Sequence, residues 1–252
     1  MIGDAMLIES SHNPNVKRWM KLKQKKYRSQ LGQFIVEGEH LVLEALKANV
    51  IKEVIARDNV KLPLFIEESG CIVYRLKEPL FAQIASTQTP QPIMAVCEMR
   101  PKSMLKMKRI LLLDRVQDPG NLGTLLRSAV AFGFDGAVLG EGCVDVYNEK
   151  VIRSTQGAIF TLAIEFHDLK TYIPYLSEQG ILVFGTSLEN GRPLSQIEEA
   201  TQMAFILGNE GSGVQKELLS LTNQNIFIEM SENIESLNVS IAGSIIMYRF
   251  RQ

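Results

Sequence analysis

The sequence has little of what disulfide frameworks and metal centres are built from. Its 252 residues include three cysteines and three histidines. Cys71, Cys97 and Cys143 are odd in number, far apart and form no C-x-x-C pair, which argues against a disulfide scaffold or structural zinc site and fits a reducing cytoplasm. His12, His40 and His167 stand alone, no H-x-x-x-H pattern occurs, and no metal is expected. No apolar stretch reaches the roughly 18 residues a membrane span requires. The first residues carry no basic segment followed by an apolar one, so no secretion signal is expected. Gly-Lys-Ser/Thr is missing, which excludes a P-loop. The lack of a G-x-G-x-x-G turn after the first strand of either half disfavours a nicotinamide-dependent oxidoreductase.

What is present is an ordinary globular composition with an uneven distribution of charge. The formal net charge is −1, yet Lys17, Arg18, Lys21, Lys23, Lys25, Lys26 and Arg28 lie within twelve positions. With Trp19 and Tyr27 among them, they predict a helix or arm that contacts phosphates, a solvated helix face being the alternative. The chain divides near residues 100–106, giving a first domain over 1–100, a basic linker over 101–108 and a second domain over 109–252. In the first, a helix runs from Pro14 to about Tyr27, strands at 33–37, 53–57, 72–75 and 93–97 alternate with a helix at 39–48, and Pro79 opens a short helix. In the second, strands at 109–114, 137–139, 162–166, 181–184, 203–207 and 225–229 and helices at 121–132 and 237–250 alternate as a parallel α/β sheet requires.

Three segments place polar residues at strand ends, where open α/β sheets bind ligands. In Asp118-Pro-Gly-Asn-Leu-Gly-Thr-Leu-Leu-Arg127, Asn121 can cap the helix that follows. Arg127, on a helix rich in Leu and Ala, wants an anionic or carbonyl partner, and Glu210 would serve as a structural one. Gly208-Asn-Glu-Gly-Ser-Gly213 is a glycine-rich loop between a strand and a helix, suited to a backbone nest or a tight connection. In Ile228-Glu-Met and Ser236-Leu-Asn-Val-Ser240, Ser236 and Asn238 stand where they can cap the closing helix. The polar loop between these two stretches could fold over a ligand.

The three segments, in this order, resemble the SpoU (TrmH-like) RNA 2′-O-methyltransferases of the SPOUT class. Asn121-x-Gly-x-x-x-Arg127 matches the first motif, Gly208-x-Glu210-Gly the second, and Ile228 with Ser236-Leu-Asn238 the third, although Glu229 stands where members usually have proline. The first half, through Phe34-Ile-Val-Glu-Gly-Glu-His40, resembles the ribosomal-protein-like substrate-binding domain fused ahead of many SpoU domains. The resemblance implies a trefoil-knotted catalytic domain, S-adenosylmethionine as cofactor and transfer of its methyl group to a ribose 2′-hydroxyl. It also implies a homodimer acting in the cytoplasm on RNA, with 23S ribosomal RNA favoured. A transfer-RNA substrate and a non-catalytic RNA-binding relative are the alternatives. By the same likeness Arg127, Asn121, Glu210, Ser236 and Asn238 are the expected catalytic residues. Leu207, Gly208, Asn209, Ile228, Met230 and Leu237 are expected at the cofactor, and the basic set from Lys17 to Arg28 on RNA. A guanidinium holds its proton across the physiological range, so Arg127 is expected to act chiefly as an electrostatic clamp on phosphate and alkoxide.

Overall fold

The computed structural model describes residues 6–100, 107–231, 233–234 and 236–251. Most of the basic linker, 101–106, lies outside this set. The chain resolves into two compact units, one made of Met1–Arg100 with Tyr147–Phe160, the other of Pro101–Val146 with Thr161–Gln252.

The first unit is a three-layer α/β structure. Its sheet holds β1 (Met6–Ile8), β2 (Gln33–Glu37), β3 (Ile51–Arg57), β4 (Val73–Leu76) and β5 (Ile93–Glu98) in the order β1-β4-β3-β5-β2, with β5 antiparallel to both neighbours. The two-residue period of a strand decides which layer each side chain joins. On β3 and β5, Val54, Ala56, Ile93, Ala95 and Cys97 face one core, whereas Ile55, Met94 and Val96 face the other. Helices α1 (Pro14–Lys21), α2 (Lys25–Leu31), α3 (Glu39–Lys47), α4 (Leu64–Glu67) and α5 (Glu78–Ile84) supply the outer layers. Val16, Trp19 and Leu22 join Leu80, Phe81 and Ile84 on one side, and Leu41, Val42 and Ala45 lie on the other. The single helix predicted from Pro14 to Tyr27 is in fact two, because Gln24 is extended at φ −101° and ψ 131° and interrupts the hydrogen-bond ladder.

One segment departs from the boundaries read off the sequence. Tyr147–Phe160, which contains a short helix (Glu149–Thr155), falls in the second half of the chain but builds the first unit. Ile152 and Phe160 complete the core beneath α3, and the rings of Tyr147 and Phe160 lie 4.8 Å and 6.2 Å from that of Phe34. Apolar burial outweighs proximity in sequence here.

The second unit carries an all-parallel seven-stranded sheet of β6 (Arg109–Leu113), β7 (Gly136–Leu139), β8 (Ala163–Phe166), β9 (Leu182–Thr186), β10 (Gly191–Pro193), β11 (Met203–Leu207) and β12 (Gln224–Phe227). The strand order is β10-β12-β9-β11-β6-β7-β8. Helix α6 (Pro119–Ala131) follows β6; the helix at Glu149–Thr155 is α7, and α8 (Leu169–Glu178), α9 (Lys216–Leu219) and α10 (Val239–Arg249) complete the set. Leu169, Ile173 and Leu176 of α8 pack on Ile110, Leu112, Ala204 and Ile206. Helices α6 and α10 pack against each other so closely that a Cβ on Gly243 would stand 2.4 Å from Leu125 Cδ2 and 2.5 Å from Leu207 Cδ1. No helix among the described residues is long and apolar enough to cross a membrane.

Candidate active site

The parallel order brings the carboxyl ends of β6, β9, β11 and β12 side by side, and the three polar segments gather there. Asp118, not Asn121, caps α6: its carboxylate accepts the Asn121 N–H at 2.8 Å, with Pro119 at the first helical position. Placed one turn inside, Asn121 keeps its side-chain amide for other partners. Its Nδ2 donates to Glu210 Oε1 at 3.1 Å, and its Oδ1 accepts from Asn238 Nδ2 at 3.0 Å. Asn238 in turn caps α10, its Oδ1 accepting from Ser240 N at 2.9 Å and Ser240 Oγ at 2.6 Å. A polar relay from Glu210 through Asn121 to Asn238 thus joins one residue from each segment.

Glu210 also accepts the backbone N–H groups of Asp118 at 3.0 Å and Gln117 at 3.3 Å. Partial burial pushes its carboxyl upward, but the donated hydrogen bonds from Asn121, Asp118 and Gln117 prevail and hold it below the usual glutamate value. The carboxylate is therefore committed to orienting its neighbours. Glu210 does not pair with Arg127, the partner considered from the sequence. Nor does Arg127 point into the domain: it is exposed on α6 and, among the described residues, has no hydrogen-bond or ion-pair partner.

Beside the relay lies a cleft of 290 Å³. Leu207, Gly208, Asn209, Ile228, Met230 and Leu237, all expected at the cofactor, lie in its wall together with Glu210 and Ser236. Leu188, Leu194 and Ile226, not singled out by the sequence, add apolar surface. Gly208 has no room for a side chain, since a Cβ there would meet the Gly213 carbonyl carbon at 2.1 Å. The Asn209 side chain folds its own loop: Oδ1 accepts from Gly211 N and Ser212 N at 3.1 Å, and Nδ2 donates to Arg115 O at 3.0 Å. Ser236 is exposed and stands outside the relay. Within the loop that precedes it, Glu232 and Glu235 lie outside the described residues.

The basic set near the amino terminus divides. Arg18 pairs with buried Glu53 at 2.6 Å, and the same oxygen accepts from Trp19 Nε1 at 2.7 Å. Lys23 Nζ donates to the carbonyls of Gln83 and Ala85 at the end of α5, at 2.8 Å and 2.9 Å. Arg28 is buried and donates to the Leu22 and Lys23 carbonyls, both at 2.8 Å. Arg18, Lys23, Arg28 and Trp19 therefore make contacts within the fold, and of the basic residues in the set Arg28 alone is buried. Lys17, Lys21, Lys25 and Lys26 remain exposed, the last three clustered around Tyr27 or beside it in sequence. Residues missed by the sequence reading are Asp114, Arg115, Gln117 and Asp118: Gln117 acts through its backbone N–H, Asp118 through its N–H and its capping carboxylate, and Asp114 and Arg115 through side chains that hold the loop.

A parallel α/β sheet with a lined cleft and a polar relay at its carboxyl edge defines an enzyme-type ligand site. The chain belongs to the SpoU rRNA Methylase family, whose sequence pattern matches residues 108–248, and residues 13–95 match an MRM3-like substrate binding domain. It is 42% identical over 245 residues to a 23S rRNA (guanosine(2553)-2′-O)-methyltransferase, RlmP, of Bacillus subtilis (strain 168), covering 97% of this chain and 98% of that protein. An AdoMet-bound rRNA methyltransferase from Sinorhizobium meliloti superposes with a TM-score of 0.87 at 27% identity, over 98% of this chain and 97% of that one. The SpoU methyltransferase AviRb from Streptomyces viridochromogenes, in complex with AdoMet, shares the fold at a TM-score of 0.82 and 22% identity, over 94% and 97% of the two chains.

Proposed function

We propose that this chain transfers the methyl group of S-adenosylmethionine to a ribose 2′-hydroxyl of 23S ribosomal RNA. The observation that carries the reading is the Glu210–Asn121–Asn238 relay, which ties the three motifs together beside the cleft, with Arg127 exposed on the helix that bears Asn121 and without a partner among the described residues. The cleft fits the cofactor in kind: Leu188, Leu207, Ile226 and Leu237 offer apolar walls for a purine, and Gly208 lets the backbone approach. Its volume is near the lower end of small-molecule sites, roughly 300–1,000 Å³. Bound there, the cofactor supplies an electrophilic methyl group.

The chemistry left to the protein is electrostatic. A ribose hydroxyl is a weak nucleophile, and negative charge develops on its oxygen as its proton departs to solvent, before the oxygen bonds the methyl carbon. Arg127 supplies a fixed positive charge for that oxygen and for the adjoining phosphate. Asn121, held on both sides by Glu210 and Asn238, orients the ribose, with Ser236 contributing from the cleft wall. The first unit grips RNA through Lys17, Lys21, Lys25 and Lys26. Near full-length likeness to a 23S rRNA methyltransferase, with the matched substrate-binding domain, favours ribosomal over transfer RNA. We assign the catalytic domain to about 109–252 without the Tyr147–Phe160 segment that packs in the first unit, a trefoil knot to the passage that returns α10 to α6, and the cytoplasm as the place of action.

The same reading includes a homodimer. Val130 on α6, the helix that bears Arg127, and Ile241, Ile245 and Tyr248 on α10, which packs against it, are exposed apolar residues, and a second copy would cover them. An active monomer in sedimentation at assay concentration overturns this part. The function itself is tested by mapping 2′-O-methyl sites in ribosomal RNA from a deletion strain complemented with wild type, Arg127→Ala or Arg127→Lys. A site that is lost on deletion, restored by wild type and not restored by either variant supports the reading. An unchanged methylation map on deletion refutes the function, and full restoration by Arg127→Lys refutes the guanidinium's role.

A further inference from the structure

Arg115 adopts a backbone conformation that an arginine rarely takes. Its φ is +55°, in the left-handed region that favours glycine. Such residues persist where surrounding contacts over-determine them, and they concentrate at functional sites. The contacts here are specific. The Arg115 carbonyl accepts from Asn209 Nδ2 at 3.0 Å. Its guanidinium donates from Nε to Asp114 Oδ1 at 3.1 Å and reaches the Gly213 carbonyl at 3.4 Å. Asp114 is buried, and its two oxygens also accept from Gln215 N and Gln215 Nε2, each at 2.8 Å. The arginine stem passes over Gly142, where a Cβ would meet Arg115 Cγ at 2.9 Å.

These contacts grip the glycine-rich loop at both ends, at Asn209 and at Gly213 with Gln215. The turn at Arg115 also directs the next residues, so that the N–H groups of Gln117 and Asp118 face the Glu210 carboxylate. We propose that Arg115 is a positioning residue: its left-handed turn sets the two N–H groups that hold Glu210, and its side chain, with Asp114, fixes the loop that walls the cofactor cleft. The proposal rests on the methyl-transfer reading for its consequences, but its geometry belongs to the free protein. Arg115 touches no reacting atom in this scheme. It makes the relay and the cleft wall one rigid element.

Two substitutions separate the roles. Arg115→Gly keeps the turn, since glycine takes positive φ without penalty, and removes the side chain. Arg115→Val keeps a side chain but opposes the turn, because a β-branched residue is strongly disfavoured there. The loss of hydrogen bonds to a charged group lowers binding by roughly ten-fold or more. Arg115→Gly is therefore expected to weaken S-adenosylmethionine binding about ten-fold by calorimetry, with kcat at saturating cofactor changed much less and the Glu210 titration as in wild type. Arg115→Val is expected to raise the Glu210 carboxyl titration, followed by carbon NMR without ligand, and to speed amide exchange at Gln117 and Asp118. Arg115→Lys should restore part of the cofactor affinity. Unchanged cofactor affinity in Arg115→Gly overturns the side-chain role, and an unmoved Glu210 titration in a folded Arg115→Val protein overturns the turn's role. Wild-type protein that fails to bind S-adenosylmethionine overturns the methyl-transfer reading instead, while the two ligand-free NMR measurements still judge Arg115.

Discussion

Phe160→Ala should unfold the amino-terminal unit first, although Phe160 lies well inside the sequence of the carboxyl-terminal half. The ring is 7% exposed, belongs to the core that contains Val54, Ala56 and Ile93, and lies over Phe34 at 6.2 Å with a 25° interplanar angle. Truncating a buried phenylalanine costs about 3–5 kcal/mol. Phe160 ends a 3₁₀ turn at the margin of its core, where the chain can relax, so the lower figure of about 3 kcal/mol is the reasoned choice. At about 1.4 kcal/mol per decade, that is a roughly hundred-fold loss of protection against amide exchange. Native-state hydrogen exchange read by mass spectrometry locates it. Peptides covering β2, β3 and β5 should exchange faster by that factor, and peptides covering β6 and β11 should keep their protection. Phe205→Ala gives the converse, since Phe205 is buried among Phe134, Phe184 and Phe250 in the second unit. If Phe160→Ala instead loosens β6 and β11 while β2 stays protected, the assignment of Tyr147–Phe160 to the first unit is wrong.

Asn238→Asp should preserve the cap on α10 but lose the amide that donates to Asn121, so activity falls with little change in stability; Asn238→Ala should add about 1 kcal/mol of destabilisation through the lost cap, measured by denaturant titration. Asn121→Ala removes one donor to Glu210. A carboxyl held below its ordinary value contributes stability above the unfolded pKa and loses it as pH falls through the folded one, so in this variant the acid-side loss should begin at higher pH, as thermal melts across pH would record. Arg18→Ala leaves the buried Glu53 carboxylate without its charge partner and should cost about 2 kcal/mol, discounted because Arg18 is partly exposed. Each of Lys17→Ala, Lys21→Ala, Lys25→Ala and Lys26→Ala should leave stability alone and lower the salt dependence of RNA binding by about one counterion. Gly208→Ala should abolish closure of the loop on Gly213 and be detected as lost cofactor binding in a protein that still melts cooperatively.

Much of the fold was legible because burial and strand period agree. The apolar runs at 33–37 and 203–207 become β2 and β11 with the bounds expected, and the alternation along β3 and β5 sorts side chains between two cores. The short edge strands β1 and β10 and the helix at Leu64–Glu67 carry too few periodic residues to announce themselves. The basic stretch was legible only in part, for a different reason. Charge is visible in a sequence, but whether a cation meets solvent or a buried carboxylate depends on Glu53, which lies 35 residues from Arg18. Lys23 and Arg28 are likewise taken by carbonyls at the ends of α5 and α1. In the site, side chains named by motif were found where strand ends converge, whereas Gln117 and Asp118 act through backbone N–H groups that any residue but proline could offer. Arg115 gives no sequence signal at all, because a positive φ at a non-glycine residue is set by tertiary contacts.

The strand order explains why segments separated by more than a hundred residues act together. Strand β11 lies between β6 and β9, so the loop after it and the turn after β6 are neighbours by register: Leu113 pairs with Leu207 at the last residue of each strand. Glu210 can therefore reach the backbone just ahead of α6 with a side chain of ordinary length. The third segment begins two strands further over, at the end of β12, and pairing along the sheet does not bring it to Asn121. It arrives because α10 packs back on α6, with Gly243 seated against Leu125 and Ser128 Oγ bonded to Ser244 Oγ at 2.8 Å. Close packing of these two helices is thus a requirement of the relay as well as of the core. A Gly243→Ala variant tests that link, since its added methyl must push α10 from α6. It should cost about 1–3 kcal/mol through overpacking and separate Asn238 from Asn121, lowering kcat; because the methyl also meets Leu207 of the cleft wall, kcat is read at saturating cofactor. Should Gly243→Ala lose that stability yet keep full turnover, the relay does not depend on the helix pair and the coupling argued here fails.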